Sequence, residues 1–578
     1  MEKNSFDKFD SRSYARCYWH KWEPKQYIIL IEKANDLLIK YSKELSDLVS
    51  SSYSWYACSA IYSSNKIEDT GLSLEETKNI VIEYLNPNSM DRLLSDIEKT
   101  NDQSRKEVLQ HLSAFQYLCR ENLHSDLSED IILETHRLLM NGLVREDGMD
   151  ARAGSYRDTD ITVGKDGQPC VSSDDIVPIM KRLATWFNQI KSKPFDPFVT
   201  ATILKTRFLH IHPFIDGNGR LSRLLMNWVL LSKGLPFPIS LQAGFSYQAK
   251  KNYFHCFNAN DPTKPLSSLV LESVHTHFCS FFERVKFTKP EIPPFISSIN
   301  SHTYFDRLPT WRDGNGYDID QMQDMINKYT SENNYDVIKM QKIFNLRALQ
   351  FAIHSRIDLQ GSNLTLTKDH LTPIIINDYN TVTDLSTTPH FKGDFSRTLE
   401  EMTRLTKAFR YLCVDKVKSD LNVELILSTL HILFNSSTSY RTDDVYIGSH
   451  LFPSPHCLKS NLETIVNSYK EKVSKIESTS GIQEKIVIST WLMYEILALH
   501  PFQDGNGRIS RLLLNWSLLH LGSNFPVIFG KEKGVKHGHR DLVVSIQLAR
   551  SNLGSPTILA TRVLLSLYNA WESLTTDK

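Results

Sequence analysis

His212, Asp216, Asn218, Arg220 and Arg223 fall within one string, HPFIDGNGRLSR, and the string returns as HPFQDGNGRISR from His500 to Arg511. Helix and core requirements alone do not call for that combination twice. Gly217, Asn218 and Gly219 free the backbone to turn so that several N–H groups face one spot, and Gly505, Asn506 and Gly507 do the same in the second copy. Behind the turn Leu221, Leu224, Leu225 and Trp228 recur at helical spacing, and Ile509, Leu512, Leu513 and Trp516 repeat the stripe. A helix N-terminus beneath the turn adds a positive dipole end, which suits phosphates. Arg220 and Arg223 (Arg508 and Arg511) lie three apart, close enough to reach the same anion from one helix face. Asp216 (Asp504) is a hard oxygen ligand of the sort Mg²⁺ takes beside phosphates. His212 (His500), just upstream, can act as a base near neutral pH. Together they read as a nucleotide-phosphate site with a general base beside it.

The string resembles the signature of the Fic (Fic/Doc) family, His-x-Phe-x-[Asp/Glu]-Gly-Asn-Gly-Arg-x-x-Arg, and both copies match it at every fixed position. The resemblance implies transfer of AMP from ATP·Mg²⁺ to a Ser, Thr or Tyr hydroxyl of a target protein. In that scheme His212 (His500) takes the hydroxyl proton and Asp216 (Asp504) orients the metal. Asn218 (Asn506) and the nest N–H groups hold the α-phosphate. Arg220 and Arg223 (Arg508 and Arg511) take the β- and γ-phosphates. Phe214 and Phe502 are expected to anchor the loop in the core, and Tyr253 stands where the family places an aromatic near the base.

The totals fit. A chain of 578 residues is long enough for more than one domain. Its 66 Lys and Arg balance 66 Asp and Glu, so nothing points to a nucleic acid as main partner. No apolar run is long enough to cross a bilayer, and the first residues lack a signal-peptide core, so no membrane partner is expected. Eight cysteines without a CxxC pair read as reduced thiols of a cytoplasmic protein, or of one delivered into a host cell. Oligomeric state is left open.

The whole chain reads as an internal repeat. FQYLCRENLHSDL (Phe115–Leu127) matches FRYLCVDKVKSDL (Phe409–Leu421), and Tyr156-Arg157 matches Tyr440-Arg441. The expected division is a first domain over 1–288, a linker over 289–304 and a second domain over 305–578. Helical period runs through Tyr27–Ser50, Leu74–Tyr84, Ser104–Arg120, Ser128–Asn141, Ile176–Lys191 and Phe198–Phe208. Ile161 and Val163 alternate with polar residues ahead of turn formers, as Val445 and Ile447 do, so each copy carries a short β-hairpin. The expected fold class is mainly α: two tandem Fic-like helical domains, each with a small hairpin. By resemblance the hairpin is the flap that clamps an extended target segment through backbone hydrogen bonds.

Ser64 and Glu68 stand at the fixed positions of a stretch resembling the family's inhibitory helix, [Ser/Thr]-x-x-x-Glu-[Gly/Asn], with Asp69 in place of the final Gly or Asn. The resemblance implies that Glu68 pairs with Arg223 and occupies the seat of the γ-phosphate. The matching residue of the second copy is Gln360, which carries no charge, so the second site is expected to be the less restrained one.

Three other functions stay in view: removal of AMP from a modified target by the first domain; transfer of UMP, phosphocholine or phosphate; and a nucleotide-binding scaffold without turnover. His210, whose counterpart is Ala498, reads as structural or solvated, and DGNG at 313–316 as a turn.

Overall fold

A computed structural model describes residues 24–292 and 395–575 apart from short stretches, and isolated residues between 324 and 351. Gln360, the stretch around it, DGNG at 313–316 and most of the expected linker lie outside the described residues. The fold is mainly α-helical, with two small two-stranded antiparallel sheets among the described residues. None of the described helices is long and apolar enough to cross a membrane.

The first unit opens with α1 (Pro24–Lys40) and α2 (Ser46–Ile67). The helix expected over Tyr27–Ser50 is thus interrupted by a turn. The turn keeps helix-like bonds, Tyr41 N–H to Leu37 O and Leu45 N–H to Tyr41 O, and Leu45 stays buried, so the apolar period ran through it. Next come α3 (Leu74–Tyr84), α4 (Met90–Lys99), α5 (Gln103–Gln116) and α6 (Glu129–Met140). A capping box between Ser73 and Glu76 starts α3, and the Asp102 and Ser128 side chains cap α5 and α6. The hairpin is β1 (Thr162–Val163) with β2 (Gln168–Pro169), in the register Thr162 opposite Pro169. Then follow α7 (Ile176–Lys191), α8 (Pro197–Ile211), α9 (Asn218–Ser232), α10 (Tyr247–Phe257) and α11 (Thr263–Thr288).

The motif helix α9 is the centre of this unit. Leu221, Leu225 and Trp228 are fully buried, as the spacing requires, but so are Ser222, Met226 and Val229 on the other faces. Burial on all faces fixes its N-terminus, and with it the loop before it.

The second half of the chain repeats the plan with α12 (Phe395–Arg410), α13 (Val423–Phe434), the hairpin β3 (Tyr446–Ile447) and β4 (His450–Leu451), α14 (Leu458–Ser474), α15 (Ile482–Leu499), the motif helix α16 (Asn506–His520) and α17 (Thr557–Thr575). The compact units part between Val285 and Lys286, three residues before the expected end at 288, and Tyr446–Leu451 is counted with the first.

Candidate active site

Each motif begins where a helix is forced to stop. His212 closes α8 at φ 51 and His500 closes α15 at φ 49, both in the left-handed region. The chain then turns back through Gly217 (φ 76) and Gly505 (φ 83) into the motif helices. A side chain at Gly217 would meet Met140 and His136, and one at Gly505 would meet Phe434, so both positions need glycine twice over.

Asn218 ties the loop shut. Its Oδ1 accepts from Phe214 N–H at 3.1 Å and its Nδ2 donates to Phe214 O at 2.8 Å. Asn506 does the same to Phe502 at 3.0 and 2.6 Å. Phe214 and Phe502 are buried beneath, as expected.

Two supports were not foreseen. Arg157, its side chain fully buried, donates from Nε to His212 O at 2.8 Å, from Nη1 to Thr159 O at 2.7 Å, and from Nη2 to Val171 O. One guanidinium thereby joins both ends of the hairpin to the backbone of the motif histidine. Arg441 repeats the device on His500 O (2.7 Å), Asp443 O and Pro453 O. The Tyr-Arg pair recurring in both copies was the available signal. His136 is the second support: its ring stacks on Phe214 at 3.6 Å, Nε2 lies 3.0 Å from Asp216 O, and Nδ1 accepts from Gly154 N–H. Its counterpart is Leu430, so no repetition marked it.

The arginines supply the charge. Arg220 is 4 % exposed, and its Nε and Nη1 are buried without a hydrogen-bond partner among the described residues, while Nη2 lies 3.5 Å from Asp216 Oδ1. Arg508 Nε is likewise buried without a hydrogen-bond partner among the described residues, and its Nη2 donates to Asp504 Oδ2 at 3.0 Å. Buried cationic donors without acceptors are costly, and an anion in the loop would satisfy them. In the second copy burial, followed by the like charge of Arg508, disfavours the Arg511 cation.

Arg223 is differently placed. Its Nη2 lies 2.6 Å from Glu68 Oε1 and 2.9 Å from Ser64 O, and its Nε donates to Ser64 Oγ at 2.8 Å. Burial works against its charge, but Glu68 and then Tyr253 outweigh that and raise its pKa. Glu68 caps α2 and Asp69 follows in the left-handed region at φ 58, which Asp tolerates, with Lys250 at 2.7 Å from its carboxylate. The Glu68 carboxylate lies so close over Gly219 that a methyl there would collide with it.

His212 is mostly buried, and burial is the largest influence lowering its pKa below 6.5, with Arg157 helping and Glu68 and Asp216 opposing. Tyr253 is 3 % exposed with the Lys205 ammonium 4.9 Å from its ring centre. Burial alone would raise the Tyr253 phenol, but Lys205 and Arg223 hold its pKa down. Asp216 and Asp504 each offer one partly exposed carboxylate beside the loop. No cluster of three or more ligating side chains occurs among the described residues. A single carboxylate suits Mg²⁺, which fills most of its shell with water and phosphate oxygens.

The Fic/DOC family model matches the chain twice, over residues 126–230 and 420–518. "Protein adenylyltransferase Fic" of Drosophila grimshawi is 36% identical over 124 residues, 22% of this chain and 23% of that protein. The protein of the same name from Drosophila yakuba is 30% identical over 196 residues, 34% of this chain and 35% of that protein. The matches therefore span about a quarter to a third of those relatives. Among solved structures, a Fic domain containing signaling protein from Bacteroides thetaiotaomicron aligns with 44% of this chain and 95% of its own, at 22% identity and a TM-score of 0.33.

Proposed function

From a chain that carries the Fic/DOC domain twice, we propose a protein adenylyltransferase that moves AMP from ATP to a Ser, Thr or Tyr hydroxyl of a target protein. The observation that carries this reading is the pair of buried donors, Nε and Nη1 of Arg220, left without an acceptor among the described residues in the first turn of the helix that follows the motif histidine. ATP supplies the missing anion. Its phosphates lie on the nest of Gly217, Asn218 and Gly219, and on Gly505, Asn506 and Gly507 in the second domain. Arg220 and Arg223, or Arg508 and Arg511, neutralise the β- and γ-phosphates.

His212 and His500 are the bases. A depressed pKa leaves His212 neutral near pH 7, ready to accept the hydroxyl proton as the oxygen attacks the α-phosphorus. The new O–P bond forms, the bond to the β-phosphate oxygen breaks, and pyrophosphate leaves with that electron pair. Charge building on the α-phosphate meets the nest N–H groups and the remaining Nδ2 hydrogen of Asn218. Asp216 and Asp504 are the residues that would hold Mg²⁺, which when bound offsets phosphate charge. The hairpin presents the target backbone, and Arg157 keeps it in register with His212.

Glu68 restrains the first site by occupying Arg223. A second reading, removal of AMP from a modified target by the first domain, is favoured by the same carboxylate, which lies over the nest where it could direct a water. ATP labelled on the α- or γ-phosphorus separates the cases. Transfer of α label alone, lost in His212→Ala/His500→Ala, supports AMP transfer; γ label means phosphate transfer, and no label on any protein of a lysate means a scaffold. Release of AMP from premodified target would favour the second reading.

A further inference from the structure

A groove of about 390 Å³ opens on the first unit between α7 and α8, lined by Val171, Ile179, Arg182, Trp186, Arg207 and His210, among others. Val171 follows the second hairpin strand, and His210 precedes the motif histidine by two residues. Arg157 ties the groove to the site, since it donates to both Val171 O and Ile211 O. Arg182, Arg207 and His210 are exposed, and neither arginine forms an ion pair among the described residues. Arg207 lies over the Trp186 ring at 4.2 Å. The groove is therefore a basic, aromatic trough running on from the flap.

The second unit says what such a trough holds. Phe187 packs on Trp228 as Tyr469 packs on Trp516, which aligns α7 with α14; His212 and His500 align α8 with α15. Arg182, Trp186, Arg207 and His210 then correspond to Thr464, Ser468, Glu495 and Ala498. There the place is filled by the chain itself. Lys286 Nζ sits 2.5 Å from Glu495 Oε1, Phe287 is 5 % exposed in the core, and Asn461, the counterpart of Ile179, donates to Phe287 O at 2.8 Å. A cation followed by an aromatic thus seats on a carboxylate. In the first unit the charge of the seat is reversed.

We propose that the groove of the first unit is a subsite for the target protein, taking a segment with a carboxylate beside an aromatic side chain. This rests on the adenylyltransferase reading for its partner, not for its binding. The carboxylate lies between Arg182 and Arg207, and the aromatic ring lies along Trp186. The second domain has closed this subsite with its own Lys286 and Phe287, so the two domains select different targets.

The test uses the full chain without nucleotide and two fluorescein-labelled ten-residue peptides, one with a central Glu-Phe pair and one with Lys-Phe. Fluorescence anisotropy should show the wild-type chain preferring the Glu-Phe peptide by about tenfold, as two or three partly exposed charge contacts would give. Arg182→Glu/Arg207→Glu should reverse the preference, with ATP binding and circular dichroism unchanged. Trp186→Ser should weaken both peptides alike. Equal affinity for the two peptides, or a preference that survives the charge reversal, overturns the proposal. Absence of α-label transfer by the wild-type chain, with the Glu-Phe preference and its reversal as expected, would sink the adenylyltransferase reading alone.

Discussion

Glu68 Oε1 stands 2.6 Å from Arg223 Nη2, and the same guanidinium donates to Ser64 Oγ and Ser64 O on α2. The helix end carrying Glu68 therefore holds the last motif arginine by three bonds, one to a carboxylate and two to uncharged oxygens of Ser64.

Removing that carboxylate should release the first site. In a His500→Ala chain, which isolates it, Glu68→Gly is expected to raise α-label transfer five- to thirtyfold, the span of roughly 1–2 kcal/mol for a charge-assisted bond over a neutral one. Glu68→Gln, imitating Gln360, should fall between. An unchanged rate in Glu68→Gly would end the restraint reading.

Arg157 should matter for both stability and turnover. Its fully buried guanidinium donates to four carbonyls, those of Thr159, Val171, Ile211 and His212, which would lose their partner together. Arg157→Ala is expected to destabilise the first unit by about 2–4 kcal/mol and to lower first-site transfer. Arg157→Lys should recover part of the stability but less of the activity, since one ammonium cannot span the hairpin and His212 O. A lysine variant as active as wild type would remove Arg157 from the positioning role.

These residues also show what the sequence made legible. The motif loops, the hairpins and helices such as Leu74–Tyr84 and Ile176–Lys191 followed from spacing and turn chemistry, which are local. The pairing of Glu68 with Arg223 spans 155 residues and came only from resemblance. Arg157 was visible as a repeated Tyr-Arg pair, but nothing local told that its fork would bond the carbonyl of His212. His136 left no trace, because Leu430 fills its place in the second copy and a buried histidine reads like any other. Burial of the motif helix on every face was hidden too, since polar Ser222 and Asn227 disguise it as amphipathic.

His136 gives the first unit a measurable dependence on pH. Burial, partly opposed by Asp216, pushes its pKa down to about 4. Below its unfolded value near 6.5 the unfolded chain binds a proton that the folded one refuses, so stability falls as pH drops from about 6.5 toward 4. The full effect is on the order of 3 kcal/mol. His136→Leu, the residue type of the second copy, should flatten the dependence of urea midpoints over that interval. A slope identical to wild type would assign the pH response elsewhere.

His212 should set the acid limb of first-site activity. The base works neutral, and burial with Arg157 holds its pKa below 6.5 while Glu68 and Asp216 pull it up. The kcat/KM profile reports the free enzyme, before ATP adds its own charge. In a His500→Ala chain, transfer at pH 6.5 should therefore exceed half of the plateau, with the midpoint on the acid side. Glu68→Gly removes one of the two carboxylates that favour the imidazolium, so the same substitution that raises the plateau should move the midpoint further down. A rise in rate without that movement would mean Glu68 acts on Arg223 alone, and a midpoint above 6.5 would mean that His212 is not the base.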